Sequence, residues 1–167
     1  DLLRASVASP GNDHRLGACE APPAIVSMFL GEELDAVIDS IVSGTAYVGL
    51  GSSKMDLGVP SVPTFTRDTT DRNRTSPFAF TGNKFEFRMP GSMSSLAFPN
   101  VILNSAVADA LEYYAERLEK AENLNETVYS LIRETVRDHK RIIFNGNGYE
   151  DEWLREAEKR KLSNYRT

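Results

Sequence analysis

Cysteine is nearly missing from this chain. Cys19 is the only one, so no internal disulfide can form, and the composition fits a reducing, cytoplasmic setting. Long apolar runs are missing too: none approaches the ~18 residues of a membrane span, and no secretory leader pattern is visible. Positive charge is in deficit, with 19 Lys and Arg against 24 Asp and Glu and a net charge of −5. That balance argues against a general nucleic-acid binder but leaves room for local cations that hold phosphate. Histidine is scarce: His14 sits in a polar loop and His139 on a helical stripe, and both read as structural. Cys19 has no recognisable base beside it, which argues against a nucleophile. What remains is ordinary globular composition, 41% hydrophobic and 26% charged over 167 residues, enough for a real core.

Periodicity divides the chain into an α+β part, residues 1–98, and a helical part, residues 99–167. Asp1–Ala8 reads as a short helical tail ended by Ser9-Pro10-Gly11, and Asn12–Pro23 as a loop. Ala24–Leu30 is apolar and partly β-branched, as in a strand. Leu34, Val37, Ile38, Ile41 and Val42 have helix spacing, with Gly44 as the C-terminal stop. Thr45–Arg72 is long, rich in Gly, Ser and Pro, and weakly periodic, a pattern that usually marks a functional or mobile segment. Leu103, Val107, Leu111, Tyr114 and Leu118 form one stripe of a helix opened near Pro99, and Asn125 is the expected cap of the next. Asn145-Gly146-Asn147-Gly148 is a turn cluster before a last, highly charged helix over Tyr149–Leu162. In that helix Asp151–Arg155 and Glu156–Arg160 are i,i+4 pairs.

The stretch richest in chemistry is Asn73–Arg88. Phe78–Phe80 and Phe85–Phe87 are expected to pair as a short antiparallel hairpin across Thr81-Gly82-Asn83. Strand alternation then puts Lys84, Glu86 and Arg88 on one face and Phe85 and Phe87 on the other. The aromatic face can enter a core, while a row of carboxylate and cations either meets solvent or lines something polar.

The whole run Asn73-Arg74-Thr75-Ser76-Pro77-Phe78-Ala79-Phe80-Thr81-Gly82-Asn83-Lys84-Phe85-Glu86-Phe87-Arg88 resembles a segment of the large, type III glutamine synthetases. Asn12-Asp13-His14-Arg15-Leu16-Gly17-Ala18-Cys19-Glu20-Ala21-Pro22-Pro23 resembles a second segment of that family, in the same order. The resemblance implies a fragment of the catalytic domain followed by a helical C-terminal region. It also implies an ATP-dependent glutamate–ammonia ligase working through a γ-glutamyl phosphate, with glutamate, ATP and ammonium as ligands, Mg²⁺ or Mn²⁺ as cofactor, and a homo-oligomer as the full-length form. The family's enzymes are several times longer than this chain, which begins at Asp1 without a Met, so it reads as a piece expected to be inactive by itself.

By the same resemblance, Glu20 falls on the loop glutamate that accepts a proton from ammonium, and Arg74 on an arginine that offsets charge during phosphoryl transfer. Arg15 and Arg88 fall on arginines that hold glutamate, Lys84 on a basic position of the ATP side, and Glu86 on a metal-ligating glutamate. The sequence departs from the commoner pattern in three places. Arg15 and Glu20 stand one residue closer together, Ala79 stands near where other branches carry a phosphate-binding arginine, and Thr45–Arg72 is inserted between the two motifs. The role of the missing arginine would fall to Arg72, to Arg67 or to a residue outside the piece. Two other readings remain open: a catalytically inert helical assembly module that keeps these loops, and a glutamate–amine ligase with a different acceptor. The helical part shows no polar cluster of the kind a site needs.

Overall fold

A computed structural model describes residues 1–18, 21–49, 54–55, 65–66 and 75–164, with backbone only at 54–55 and 65–66. The elements in order are α1 (Leu2–Ala5), α2 (Pro10–Arg15), β1 (Met28–Phe29), α3 (Glu32–Ser43), β2 (Lys54–Met55) and β3 (Phe65–Thr66). There follow β4 (Phe78–Phe80), β5 (Phe85–Phe87), α4 (Ala97–Glu119), α5 (Leu124–His139), a 3-10 turn (Lys140–Ile142) and α6 (Asp151–Lys159).

The expected hairpin is present. β4 and β5 pair antiparallel with Phe78 opposite Phe87, Ala79 opposite Glu86 and Phe80 opposite Phe85. The Thr81 amide closes the loop by donating to the Lys84 carbonyl at 2.9 Å, and Gly82 supplies the left-handed φ of 92° that the turn requires. β1 joins the other edge of β4 in parallel, giving the sheet order β1-β4-β5, while β2 and β3 form a separate antiparallel pair. A parallel pair needs a crossover, and α3 lies within the chain that connects β1 to β4.

Several local readings give way to tertiary packing. The apolar run Ala24–Leu30 makes a ladder only at Met28–Phe29, because Ala24 and Ile25 are buried in two different clusters, the second built on α6. One cluster holds Val7, Leu16, Ala24 and Met89, with Val26 and Phe87 packed on it; the other holds Ile25, Trp153 and Ala157, with Phe144 and Leu162. Ser9-Pro10-Gly11 starts a helix rather than ending one. The Ser9 hydroxyl accepts from the Asn12 amide and Pro10 takes the first turn, where its missing N–H costs nothing. The cap of α5 is Asn123, whose side chain accepts from the Glu126 amide, two residues before the expected Asn125.

α3 ends as expected at Gly44 in the left-handed region, φ 71°. It is tied to α5 by Arg133, whose Nε donates to the Ile41 carbonyl at 3.1 Å, and by the Lys140–Asp39 ion pair. α4 and α5 fold back on each other through Tyr114 and Thr135, 2.8 Å apart at their hydroxyls, and the Arg117–Glu134 pair at 3.3 Å. Only part of the α4 stripe is covered there: Leu103, Tyr114 and Leu118 are half-buried, whereas Val107 and Leu111 remain exposed, as do Phe98 and Val101. Exposed apolar side chains are also found on α5, at Leu124, Val128, Tyr129 and Ile132, and on β5 at the half-exposed Phe85.

Candidate functional site

The alternation in β5 sorts the side chains as expected, with graded burial along each face. On the aromatic face Phe85 is half-open and stacks on Phe78 and Phe80 at centroid distances of 5.4 and 5.2 Å. Phe87 packs on the first core cluster, and Met89 beyond it is fully buried. On the opposite face Glu86 bridges two cations. Its Oε2 accepts from Arg88 Nη2 at 3.2 Å and Nε at 3.3 Å, and its Oε1 lies 3.6 Å from Lys84 Nζ. The Arg88 side chain is only 12% exposed, and its Nη1 reaches the Ser76 carbonyl at 3.5 Å. An ion pair as open as Lys84–Glu86 is worth roughly 0–1 kcal/mol. That pair therefore adds little to stability. A row of three charges with an excess of one positive suits an anionic ligand, and the fork of Arg88 suits a carboxylate or phosphate.

Arg15 is held on the end of the same strand. Its Nη2 donates to the carbonyls of Met89 at 2.9 Å and Pro90 at 3.0 Å, and its Nε to Asn12 Oδ1 at 2.7 Å. Asn12 is buried and its amide donates to the carbonyls of Val7 at 2.7 Å and Met89 at 3.0 Å. α2 is thereby fixed against the chain that follows Arg88. Beneath α2, the buried Arg4 pairs with Asp13 at 2.7 Å. Arg15, Arg88, Glu86 and Lys84 thus gather along one strand and its continuation.

Glu20 and Arg74 lie outside the described residues, as do Arg67 and Arg72, but the residues beside the first two are placed. Ala21, Pro22 and Pro23 are buried, and so are Ser76 and Pro77. Both segments meet the turn cluster before α6. The Tyr149 hydroxyl donates to the Ala21 carbonyl, and the Gly148 amide donates to the Thr75 carbonyl at 3.0 Å. Asn145 Oδ1 accepts from the amides of Leu30 at 2.9 Å and Gly31 at 3.0 Å, and the Phe144 amide donates to the Met28 carbonyl at 2.9 Å. The sequence marks these residues only as a turn. The one further signal available was the pair of glycines, since Gly148 has no room for a side chain: a Cβ would stand 2.5 Å from the Thr75 carbonyl oxygen and 2.7 Å from Pro23 Cγ.

Among the described residues, no three His, Cys, Asp or Glu side chains come together as a metal site. Glu86 is a single carboxylate already shared by two cations, so these residues do not by themselves fit Mg²⁺ or Mn²⁺. Also among the described residues, no helix is long and apolar enough to cross a membrane.

The two motif segments are thus joined at the C-terminal corner formed by the turn cluster before α6. Residues 127–167, from α5 through that corner to the last residue, match the family model of the glutamine synthetase C-terminal domain. The chain is 52% identical over 167 residues to the type-3 glutamine synthetase of Dictyostelium discoideum, a match covering 98% of this chain and 23% of that protein. It is 49% identical over 171 residues to a glutamine synthetase of Butyrivibrio fibrisolvens, covering 98% and 23% of the two, and 43% identical over 171 residues to one of Bacteroides fragilis (strain YCH46), covering 98% and 24%. The chain belongs to the glutamine synthetase family, in its type-3 branch, and spans about a quarter of the length of these relatives.

Proposed function

We propose that the chain forms the part of an ATP-dependent glutamate–ammonia ligase that holds glutamate and deprotonates ammonium. In that reaction a γ-carboxylate oxygen of glutamate takes the terminal phosphoryl group of ATP, releasing ADP. Ammonia then attacks the acyl carbon, and the C–O bond to phosphate breaks. Arg15 and Arg88 hold the glutamate carboxylates, Lys84 faces the nucleotide, Arg74 offsets charge during phosphoryl transfer, and Glu20 takes a proton from ammonium. A divalent ion such as Mg²⁺ or Mn²⁺ supplies charge neutralisation for phosphoryl transfer when bound. Glu86 is the residue here that would hold it, together with ligands from the remainder of a longer protein. With those ligands outside it, the 167-residue chain alone is expected to be inactive.

The observation that carries this reading is the convergence of the two motif segments. Arg15 rests on the carbonyls of Met89 and Pro90, directly after Arg88, although the two arginines are far apart in sequence. The single cysteine supports a cytoplasmic setting, and the open apolar side chains of α4 support assembly into a homo-oligomer.

Glu20→Gln in the full-length enzyme tests the reading. It keeps shape but removes basicity, so formation of the acyl phosphate should persist while glutamine formation falls by roughly two to four orders of magnitude. The deficit should narrow at high pH, where more ammonia is free. Equal loss of both half-reactions would show that Glu20 does not act on ammonium.

A further inference from the structure

We propose that Tyr149 is a positioning residue for the ammonium step, acting from the C-terminal corner on the carbonyl of Ala21, the residue after Glu20. The inference rests on the reading of Glu20 given above and adds a residue from the helical part to it. The geometry is specific. Tyr149 donates its hydroxyl to the carbonyl of Ala21, the residue that follows Glu20 in sequence. Its own backbone is fixed, because the Tyr149 amide donates to Asn147 Oδ1 at 3.1 Å. One residue earlier, Gly148 is buried and joins Thr75, at the base of the segment that carries Arg74. Two successive residues therefore grip the two motif segments, one each.

The grip is backed by rigid material. Pro22 and Pro23 are buried on one side, and Ser76 and Pro77 on the other. Asn145 binds two successive amides at the start of α3, and Phe144 stacks on Trp153 of α6 at 3.9 Å. The corner cannot shift toward one segment without losing the other. A carboxylate that must meet ammonium beside an acyl phosphate needs a fixed distance from the groups on the second segment, and misplacement by about 1 Å can cost up to about a hundredfold. The Tyr149 ring is partly exposed, 39%, so removing its hydroxyl leaves the packing intact.

The experiment is Tyr149→Phe in the full-length enzyme, assayed with two acceptors. Ammonium must lose a proton before attack, whereas hydroxylamine is already unprotonated near neutral pH. The expected result is a loss of roughly tenfold in kcat with ammonium, little change with hydroxylamine, an unchanged KM for glutamate and a melting temperature lowered only slightly, by the one lost hydrogen bond, and still well above the assay temperature. The deficit with ammonium should shrink as pH rises. Equal loss with both acceptors, or a lowered melting temperature that accounts for the loss, would overturn the proposal in favour of a purely structural tyrosine. An unchanged rate with ammonium would overturn it as well. Failure of the underlying reading looks different: the unmodified enzyme would make no glutamine, or Glu20→Gln would leave its formation intact.

Discussion

Gly148→Ala is the most demanding test of the corner, because one methyl group is asked to separate two segments. The new carbon would lie 2.5 Å from the Thr75 carbonyl oxygen and 2.7 Å from Pro23 Cγ. Neither neighbour is a flexible side-chain end. One is backbone next to the buried Ser76-Pro77, the other a buried ring. Overpacking of this kind costs about 1–3 kcal/mol, and displacing Thr75 also weakens the 3.0 Å bond from the Gly148 amide, worth about 0.5–1.5 kcal/mol. The expected destabilisation is therefore about 1.5–4.5 kcal/mol. Urea unfolding followed by tryptophan fluorescence reads it directly, since Trp153 is the only tryptophan, is buried, and stacks on Phe144 at the corner. Gly11→Ala is the control: nothing lies within 4 Å of its Cβ position, and it sits inside α2. There the same chemical change should stabilise by up to about 1 kcal/mol. A Gly148→Ala midpoint equal to that of the unmodified chain would refute the close-approach argument.

Two further outcomes can be checked on the same chain. Asn12→Ala removes both donors to the Val7 and Met89 carbonyls and the acceptor of Arg15 Nε, so the melt should shift by about 2–3 kcal/mol; a shift under 0.5 kcal/mol would show that water replaces the side chain. Glu156 has its carboxyl pKa lowered, first by its hydrogen bond from Arg160 and further by the charges of Arg160 and Lys159. A lowered folded-state pKa gives stability that is present above the ordinary value of 4.5 and lost as pH falls through the lowered one. The stability gap between the unmodified chain and Glu156→Gln should therefore be present at neutral pH and close on acidification; a gap that widens at low pH would contradict the sign.

Features set by neighbours in sequence were legible. The β4–β5 hairpin follows from alternation around Thr81-Gly82-Asn83, and α3 from its apolar spacing and Gly44. Signals with two local meanings went astray: Pro10 breaks a helix or opens one, and Asn123 and Asn125 are both plausible caps. The run Ala24–Leu30 is apolar for two reasons at once, pairing at Met28–Phe29 and burial in two separate clusters at Ala24 and Ile25, which strand periodicity cannot separate. In the candidate site, the row Lys84, Glu86 and Arg88 was visible because it lies on one strand face. The role of Asn145, Gly148 and Tyr149 was not, because it is defined entirely by partners more than seventy residues away, 115 for Leu30 and 128 for Ala21.

Those separations bear on the order in which the chain assembles. Closing a loop of such length carries an entropic cost that only later contacts repay. The β4–β5 hairpin and the α4–α5 pair can form from short-range contacts, whereas the corner must wait for distant segments to be brought together. Contacts made after the rate-limiting step do not speed folding; they slow unfolding. The Gly148–Tyr149 corner is accordingly a latch: weakening it should leave the refolding rate nearly unchanged and shorten the lifetime of the folded state.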